Sequence, residues 1–516
     1  MAPELPHLSQ APHTKRSLNI IDLPEEVLRE IFSHLGDPRV LRHGIYDWHK
    51  QGAIGICDWH EPTVSSAAVA EYSPRTIASA RLTCRRLCEI ATPHLLPVVN
   101  LTIDQASLDR AEAISRSPII ASGVRAVSVD LHYRPREPDE NVTLFYAWQK
   151  VELDRMGRAC TGVQWDDPKR KAHAERVLVI RSEMNTAWEQ LRGRREASED
   201  DGPAEYRLAI LQAYEDYQRK HAEQSDLLSS GSFARSIAAS ISRMPHFGTL
   251  GFHSKDAKEL PWMNDPWWVF NSTQSLSEFL TRPYDWEALE YLYNKPGGTR
   301  AVIEPVWLLS DLPMAIHSAG GTLRRLHVTL PCFADHIALL KPRNQDPAVA
   351  GWDKLQAACR SVEDVYFYGH QGLGDYDPLA NGNHDVNKYM GAILSSPSLE
   401  RATLWSMDYI RDRSTDVELT MRYPAGPLLS SITSTRFTDF KAASISVENG
   451  DLEDFTARLG PQLTSLELHH SSMRPGGSLN AAVEALQIRL RGRGCRVRLR
   501  VLTQEGTDGY LVSLDF

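Results

Sequence analysis

The sequence predicts an α/β chain: a helical N-terminal segment and a long helical middle, followed by an irregular strand–helix solenoid. Three observations carry this. A short apolar-x-x-apolar-x-apolar pattern recurs through the second half, with helical stretches between its copies. Residues 23–35 and 140–243 instead place apolar residues three and four apart, the period of a helix. The chain's 516 residues exceed what one compact core of ordinary size organises, which favours several domains or an elongated repeat array.

Residues 1–18 read as a disordered tail without the apolar run of a signal peptide. The first helix is "LPEEVLREIFSHL" at 23–35. Pro24 suits its first turn, and Glu25 and Glu26 favour the positive end of its dipole. Leu23, Val27, Leu28, Ile31, Phe32 and Leu35 make its apolar stripe. Residues 37–73 break the pattern with Gly, Asp, His and Trp and read as an exposed loop. Helical spacing resumes in "SPRTIASARLTCRRLCEIATPHLL" through Ile77, Ala80, Cys84, Leu87, Cys88, Ala91 and Leu95.

A helical insertion spans about 137–243. Val177, Ile180, Met184, Ala187, Trp188 and Leu191 share one face. Tyr206, Ile210, Ala213, Tyr214 and Tyr217 share another, and Phe233, Ile237 and Ile241 a third. The charged remainder reads as solvated scaffold.

In the second half, "FGTLGF" (247–252), "LRRLHVTL" (323–330), "VEDVYF" (362–367), "LERATL" (399–404), "ITSTRF" (432–437) and "LTSLEL" (463–468) share the recurrent pattern. "VRAVSVDL" (124–131) fits it, and "VRLRVL" (497–502) keeps the alternation. From 323 onward the starts lie 31 to 39 residues apart, with helical stretches such as "NKYMGAILSS" and "LEDFTARL" between them. One strand–helix unit cannot bury its apolar face alone, but stacked units build a continuous core. The region 97–516 therefore resembles an irregular leucine-rich-repeat array. A non-repetitive α/β domain accommodates the same strands.

Composition bounds the chemistry. At 42% hydrophobic and 24% charged the chain is ordinary globular protein, and a net charge of −9 gives no reason to expect nucleic acid. No run of about 18 apolar residues predicts a membrane span. Seven cysteines, at 57, 84, 88, 160, 332, 359 and 495, lack framework spacing and suit a reducing cytoplasm or nucleus. P-loop, dinucleotide-binding, zincin and nucleophile-elbow patterns are missing, so neither catalytic residues nor a cofactor are expected.

Cys84 and Cys88 share a helix face without a second ligand pair, and two Asp-Trp-His triplets place His49, Cys57, His60 and Glu61 close together. Packing accounts for both clusters, and no metal is expected. "GDYDPLANGNHD" (374–385) departs from calcium-loop spacing. The Arg-rich "IRLRGRGCRVRLR" reads as a polar strand closing the array. Five of the twelve tryptophans lie between 262 and 307, in an interval longer than the repeat. Core packing explains them; alternatively, Trp267 or Trp268 is exposed there and holds a partner.

"LPEEVLREIFSHL" followed by "ARLTCRRLCEIA" resembles an F-box, which opens Leu-Pro-x-Glu and closes on a Cys-Arg-Arg segment. Residues 19–96 carry the match, with 37–73 inserted between its halves. Thr83 and Leu87 stand where the family commonly has Val and Trp. The resemblance, to fungal F-box proteins with repeat-like C-terminal regions, implies a non-catalytic substrate receptor of an E3 ubiquitin ligase. Its F-box would dock on a Skp-type adaptor, and through it a cullin, while the repeat domain binds a client protein. The implied adaptor-binding residues are Leu23, Pro24, Val27, Leu28, Ile31, Phe32, Leu35, Leu82, Cys84 and Leu87. An interaction scaffold with a degenerate F-box, or an enzyme whose site is assembled from distant residues, are the other classes the sequence leaves open.

Overall fold

The computed structural model describes residues 20, 23–35, 76–161, 168–191, 204–254, 269–284, 303–330, 341–343, 351–369, 383–405, 408–411, 419–443, 445–459, 462–473, 484, 486, 488, 490, 495–501 and 511–515. The chain divides into two compact units, Met1–Pro97 and Val98–Phe516.

In the first unit, α1 (Glu25–Leu35) opens with two acidic residues, and the Leu28 amide donates to the Pro24 carbonyl at 3.1 Å. Residues 76–81 are helical, and α2 (Arg85–Ala91) follows. Leu28 and Phe32, four apart on α1, pack with Ile77, Leu87, Ile90 and Ala91 into a small core of their own.

The second unit is α/β. Its strands are β1 (Val98–Thr102), β2 (Ala126–Asp130), β3 (Thr249–His253), β4 (Arg325–Leu330), β5 (Asp364–Gly369), β6 (Arg401–Trp405), β7 (Asp408–Arg411), β8 (Leu419–Pro424), β9 (Asp439–Ala443), β10 (Ile445–Val447), β11 (Ser465–Met473), β12 (Arg496–Val501) and β13 (Leu511–Asp515). β1 through β6, then β9, β11 and β12, pair parallel in chain order. Parallel neighbours need crossover connections, and helices supply them. These include α3 (Gln105–Arg116), α4 (Val142–Thr161), α5 (Pro168–Leu191), α6 (Ala204–Ser229), α7 (Ser232–Ile241), α8 (Thr273–Leu280), α9 (Leu308–Ser318), α10 (Gly351–Ala358), α11 (Asn383–Leu394), α12 (Gly426–Ser431) and α13 (Asn449–Arg458). Packing runs from α3 to α7 to α9, then through α10, α11, α12 and α13, one layer in the order of the strands.

The recurrent pattern has a structural meaning. Val124, Phe247, Leu323, Val362, Leu399 and Leu463 each stand two residues before a strand, and the two later apolar positions lie in it, facing the helices. The chain reaches each strand through the same hydrogen bonds. The Gly248 carbonyl accepts the amides of Arg324 and Arg325, and the Arg324 carbonyl those of Glu363 and Asp364. Glu363 accepts Glu400 and Arg401 in turn, and Glu400 accepts Thr438 and Asp439.

Two sequence expectations need correction. "ITSTRF" is not a strand: Ser434 and its neighbours form a turn, the Ser434 hydroxyl donating to Pro397 O at 3.0 Å. The copy at this place is Phe437-x-x-Phe440-x-Ala442, five residues on, ending in β9. The Arg-rich β12 does not close the sheet, because β13 pairs antiparallel with it.

At the other end, β1 has side chains on its own outer groups. Arg110 donates to Asn100 O at 2.7 Å, and the Thr102 amide donates to Ser107 Oγ at 3.2 Å. Both contacts blunt an edge that would otherwise template pairing.

Helices α4 to α7 lie between β2 and β3, and the faces expected there are buried. Tyr146 stacks on Trp188 at 3.8 Å, and Phe145 packs against Tyr214 and Tyr217 at 5.4 and 5.2 Å. In α9, Pro313 offers no amide to the Leu309 carbonyl, and the buried Tyr389 hydroxyl of α11 donates to it instead at 3.4 Å.

Candidate functional site

The helical unit presents the first candidate surface. Of the residues expected on its docking stripe, Leu28, Phe32 and Leu87 point inward and serve the unit's own core. Pro24, Val27, Leu82 and Cys84 point outward, and Leu23 and Ile31 are half-buried. Leu35 ends α1, but its side chain lies outside the described residues, as do Trp267, Trp268 and the segment 37–73 with its His49 and His60.

Leu82 is 89% exposed and Val27 42%; Ile20, which the sequence reading did not single out, is 51% exposed. A tight turn holds Leu82 outward. Its amide donates to Ser79 O at 3.1 Å, and Thr83 returns both its amide and its hydroxyl to Ala80 O at 3.2 and 2.7 Å.

The Cys-Arg-Arg segment builds the neighbouring corner. The helical pattern expected to run through Cys84 breaks there, so Cys84 and Cys88 do not share a helix face: Cys84 is extended and caps α2, its sulfur accepting the Leu87 amide at 3.5 Å. Arg86 donates to the Leu23 carbonyl at 2.9 Å, tying the start of α1 to α2 across 63 residues of sequence. Arg85 pairs with Glu89 at 2.9 Å on the exposed side, a contact worth little in water. Cys84 is exposed and Cys88 half-buried, and among the described residues no group of three His, Cys, Asp or Glu side chains is placed to hold a metal ion. The surface offers exposed apolar side chains beside a cross-braced corner.

The sheet face opposite the helices is the second. Across its register Ser128, Gly251, His327, Tyr366, Thr403, Lys441 and Glu467 form one row. Glu467 lies 3.4 Å from His469 Nε2 and 3.7 Å from Lys441 Nζ. In the next row Ala443 and His469 are level. The His469 ring lies 5.7 Å from that of Trp405. Further along, the buried Asp130 carboxylate meets His132 Nδ1 at 3.0 Å and also accepts the His132 amide at 3.2 Å. The apolar pattern could not reveal these residues, because they occupy its variable positions. Period-two alternation from each apolar position is the signal that would have found them.

No protein-family model matches the chain, and no curated protein matches it.

Proposed function

We propose that the chain is the substrate-recognition subunit of a Skp-type adaptor, cullin and F-box ubiquitin ligase, working in the cytoplasm or nucleus. Residues 19–96 act as an F-box that docks on the adaptor. The remainder acts as an irregular leucine-rich-repeat-like solenoid that holds a client protein. The observation that carries the reading is the outward apolar set Ile20, Val27 and Leu82 on a helical unit whose core closes without them. The repeat reading is supported by strands paired in chain order, one helix layer following them, and the repeated carbonyl pairs before each strand. In this reading no bond is made or broken on the chain itself.

The inward orientation of Leu28, Phe32 and Leu87 favours a second reading, because it leaves a smaller outward surface than the F-box match implies. In that case the chain is a protein-interaction scaffold without a ligase role. Co-expression of the tagged full chain with a Skp-type adaptor and a cullin separates the two. The ligase reading expects both to be retained, and both to be lost with Leu82→Asp or Val27→Asp. Clean purification of the folded chain without the adaptor defeats it, and a client retained alone supports the scaffold.

A further inference from the structure

Arg134, just beyond β2, and Lys220, on α6, are two cations converging on one buried residue. Lys220 Nζ donates to Thr281 Oγ1 at 3.0 Å, and Arg134 Nε donates to Thr281 O at 3.3 Å. Thr281, 2% exposed, ends α8. Among the described residues neither cation has a carboxylate oxygen within 4.0 Å. The acidic groups that favour their charge act from further away, and each has a nearer hydrogen-bond or ion-pair partner of its own. Asp104 accepts the Ser107 amide at 2.7 Å, and Glu223 accepts the Gln105 amide at 2.5 Å. Asp216 pairs with Arg219 at 2.9 Å, and Glu278 accepts from Gln274 at 3.2 Å. A third cation, Arg282, lies over the Phe279 ring at 3.7 Å and donates to Phe279 O at 2.8 Å.

The end of a helix carries only about half a negative charge. That is less than the charge of either Arg134 or Lys220. Burial lowers the pKa of both Arg134 and Lys220, and Arg134's charge lowers Lys220 further, so the pair is costly as it stands.

The surrounding frame is rigid. Tyr133 and Tyr284 exchange backbone hydrogen bonds at 3.0 and 2.8 Å. Gln224 accepts the Arg134 amide at 2.8 Å and donates to His132 O at 3.1 Å, His221 Nδ1 lies 2.8 Å from Arg134 O, and Tyr217 donates to Pro135 O at 2.9 Å. Both residues are half-buried, neither being wholly closed off from solvent. Among the described residues Arg134 has its two terminal nitrogens uncommitted, the planar pair that suits a tetrahedral oxyanion, and Lys220 retains further N–H donors.

We propose that Arg134 and Lys220 bind a small oxyanion of the phosphate class, at a site independent of the adaptor-docking surface. The test uses the full chain at neutral pH, melted in chloride, inorganic phosphate or pyrophosphate at matched ionic strength, with phosphorus NMR line broadening as direct readout. Phosphate and pyrophosphate are expected to raise the melting temperature above chloride. Lys220→Met and Arg134→Gln are expected to weaken binding at least about tenfold, and Lys220→Arg to keep it. In chloride, Lys220→Met is expected to melt no lower than the parent, because it removes a charge that burial disfavours. Three results overturn the proposal. One is a melting temperature in phosphate equal to that in chloride, with no line broadening. Another is a full response in Lys220→Met. The third is an equal loss of stability by Lys220→Met in every salt, which makes the lysine a helix cap.

Discussion

Leu82 projects from a turn with 89% of its surface exposed, so Leu82→Ala removes carbon that the fold itself does not use. Surface changes of this kind stay within about 0.5 kcal/mol of the parent in stability. If a partner covers the side chain, most of the roughly 1.5–3 kcal/mol for burying a leucine is gained on docking. The affinity should then fall about 10- to 100-fold. Val27, already partly covered, should give a smaller loss in the same direction. Leu28 supplies the contrast. It is fully buried in the unit's core, so Leu28→Ala should cost about 2–5 kcal/mol of stability whether or not a partner is present. Calorimetric titration of each variant with a recombinant Skp-type adaptor, beside thermal melts, reads both quantities. An adaptor affinity unchanged by both Leu82→Ala and Val27→Ala, with the parent binding well, would refute the docking argument. A melting temperature lowered by Leu82→Ala would place its surface in the fold instead.

Tyr389→Phe leaves the Leu309 carbonyl without the donor that replaces Pro313's missing amide, and should cost about 1–3 kcal/mol in denaturant unfolding; an unmoved midpoint contradicts this. Glu304 has Oε2 buried with no partner among the described residues, and burial raises its pKa above 4.5 despite His221, Arg343 and Arg136 nearby. A raised carboxyl stabilises the fold below its unfolded pKa and loses that contribution as pH rises through the folded value. Glu304→Gln should therefore stabilise at neutral pH, with the gain vanishing below about pH 4; a gain that persists in acid contradicts the assignment. A β-carbon at Gly426 would meet Asp451 Oδ1 at 2.6 Å, and Asp451 accepts the Glu448 amide at 2.9 Å where α13 begins. Gly426→Ala should displace that cap at a cost of about 0.5–2 kcal/mol, which a thermal melt comparing it with Asp451→Ala and the double variant checks: equal losses are expected, additive ones argue against a shared cause.

What could be read from the sequence was what packing forces to repeat. Leu323, Leu326 and Val328 recur as Val362, Val365 and Phe367 because each trio must face a helix, and the same trio placed β2 to β6 and β11. The pattern failed where an apolar residue had two roles open to it. Phe437 closes "ITSTRF" as convincingly as it opens "FTDFKA", and only the turn at Ser434 decides between them. β7, β8 and β10 are short or polar and left no period to detect, and β1 and β13 sit at the ends of the array, where one neighbour suffices. The candidate surfaces were harder still, because helical spacing gives the angle between side chains but not which angle is inward. Leu28 and Val27 are adjacent and equally apolar, yet one fills the core and the other faces out, a choice made by Ile77 and Ile90 far along the chain. The cations around Thr281 carry no local signature at all. Arg134, Lys220 and Arg282 are ordinary charged residues at separations no motif describes, brought to one place by the exchange between Tyr133 and Tyr284 and by the bonds of Gln224 and His221 to Arg134. Both proposed sites therefore depend on contacts that bridge insertions, and insertions are what a repeat pattern treats as interruption.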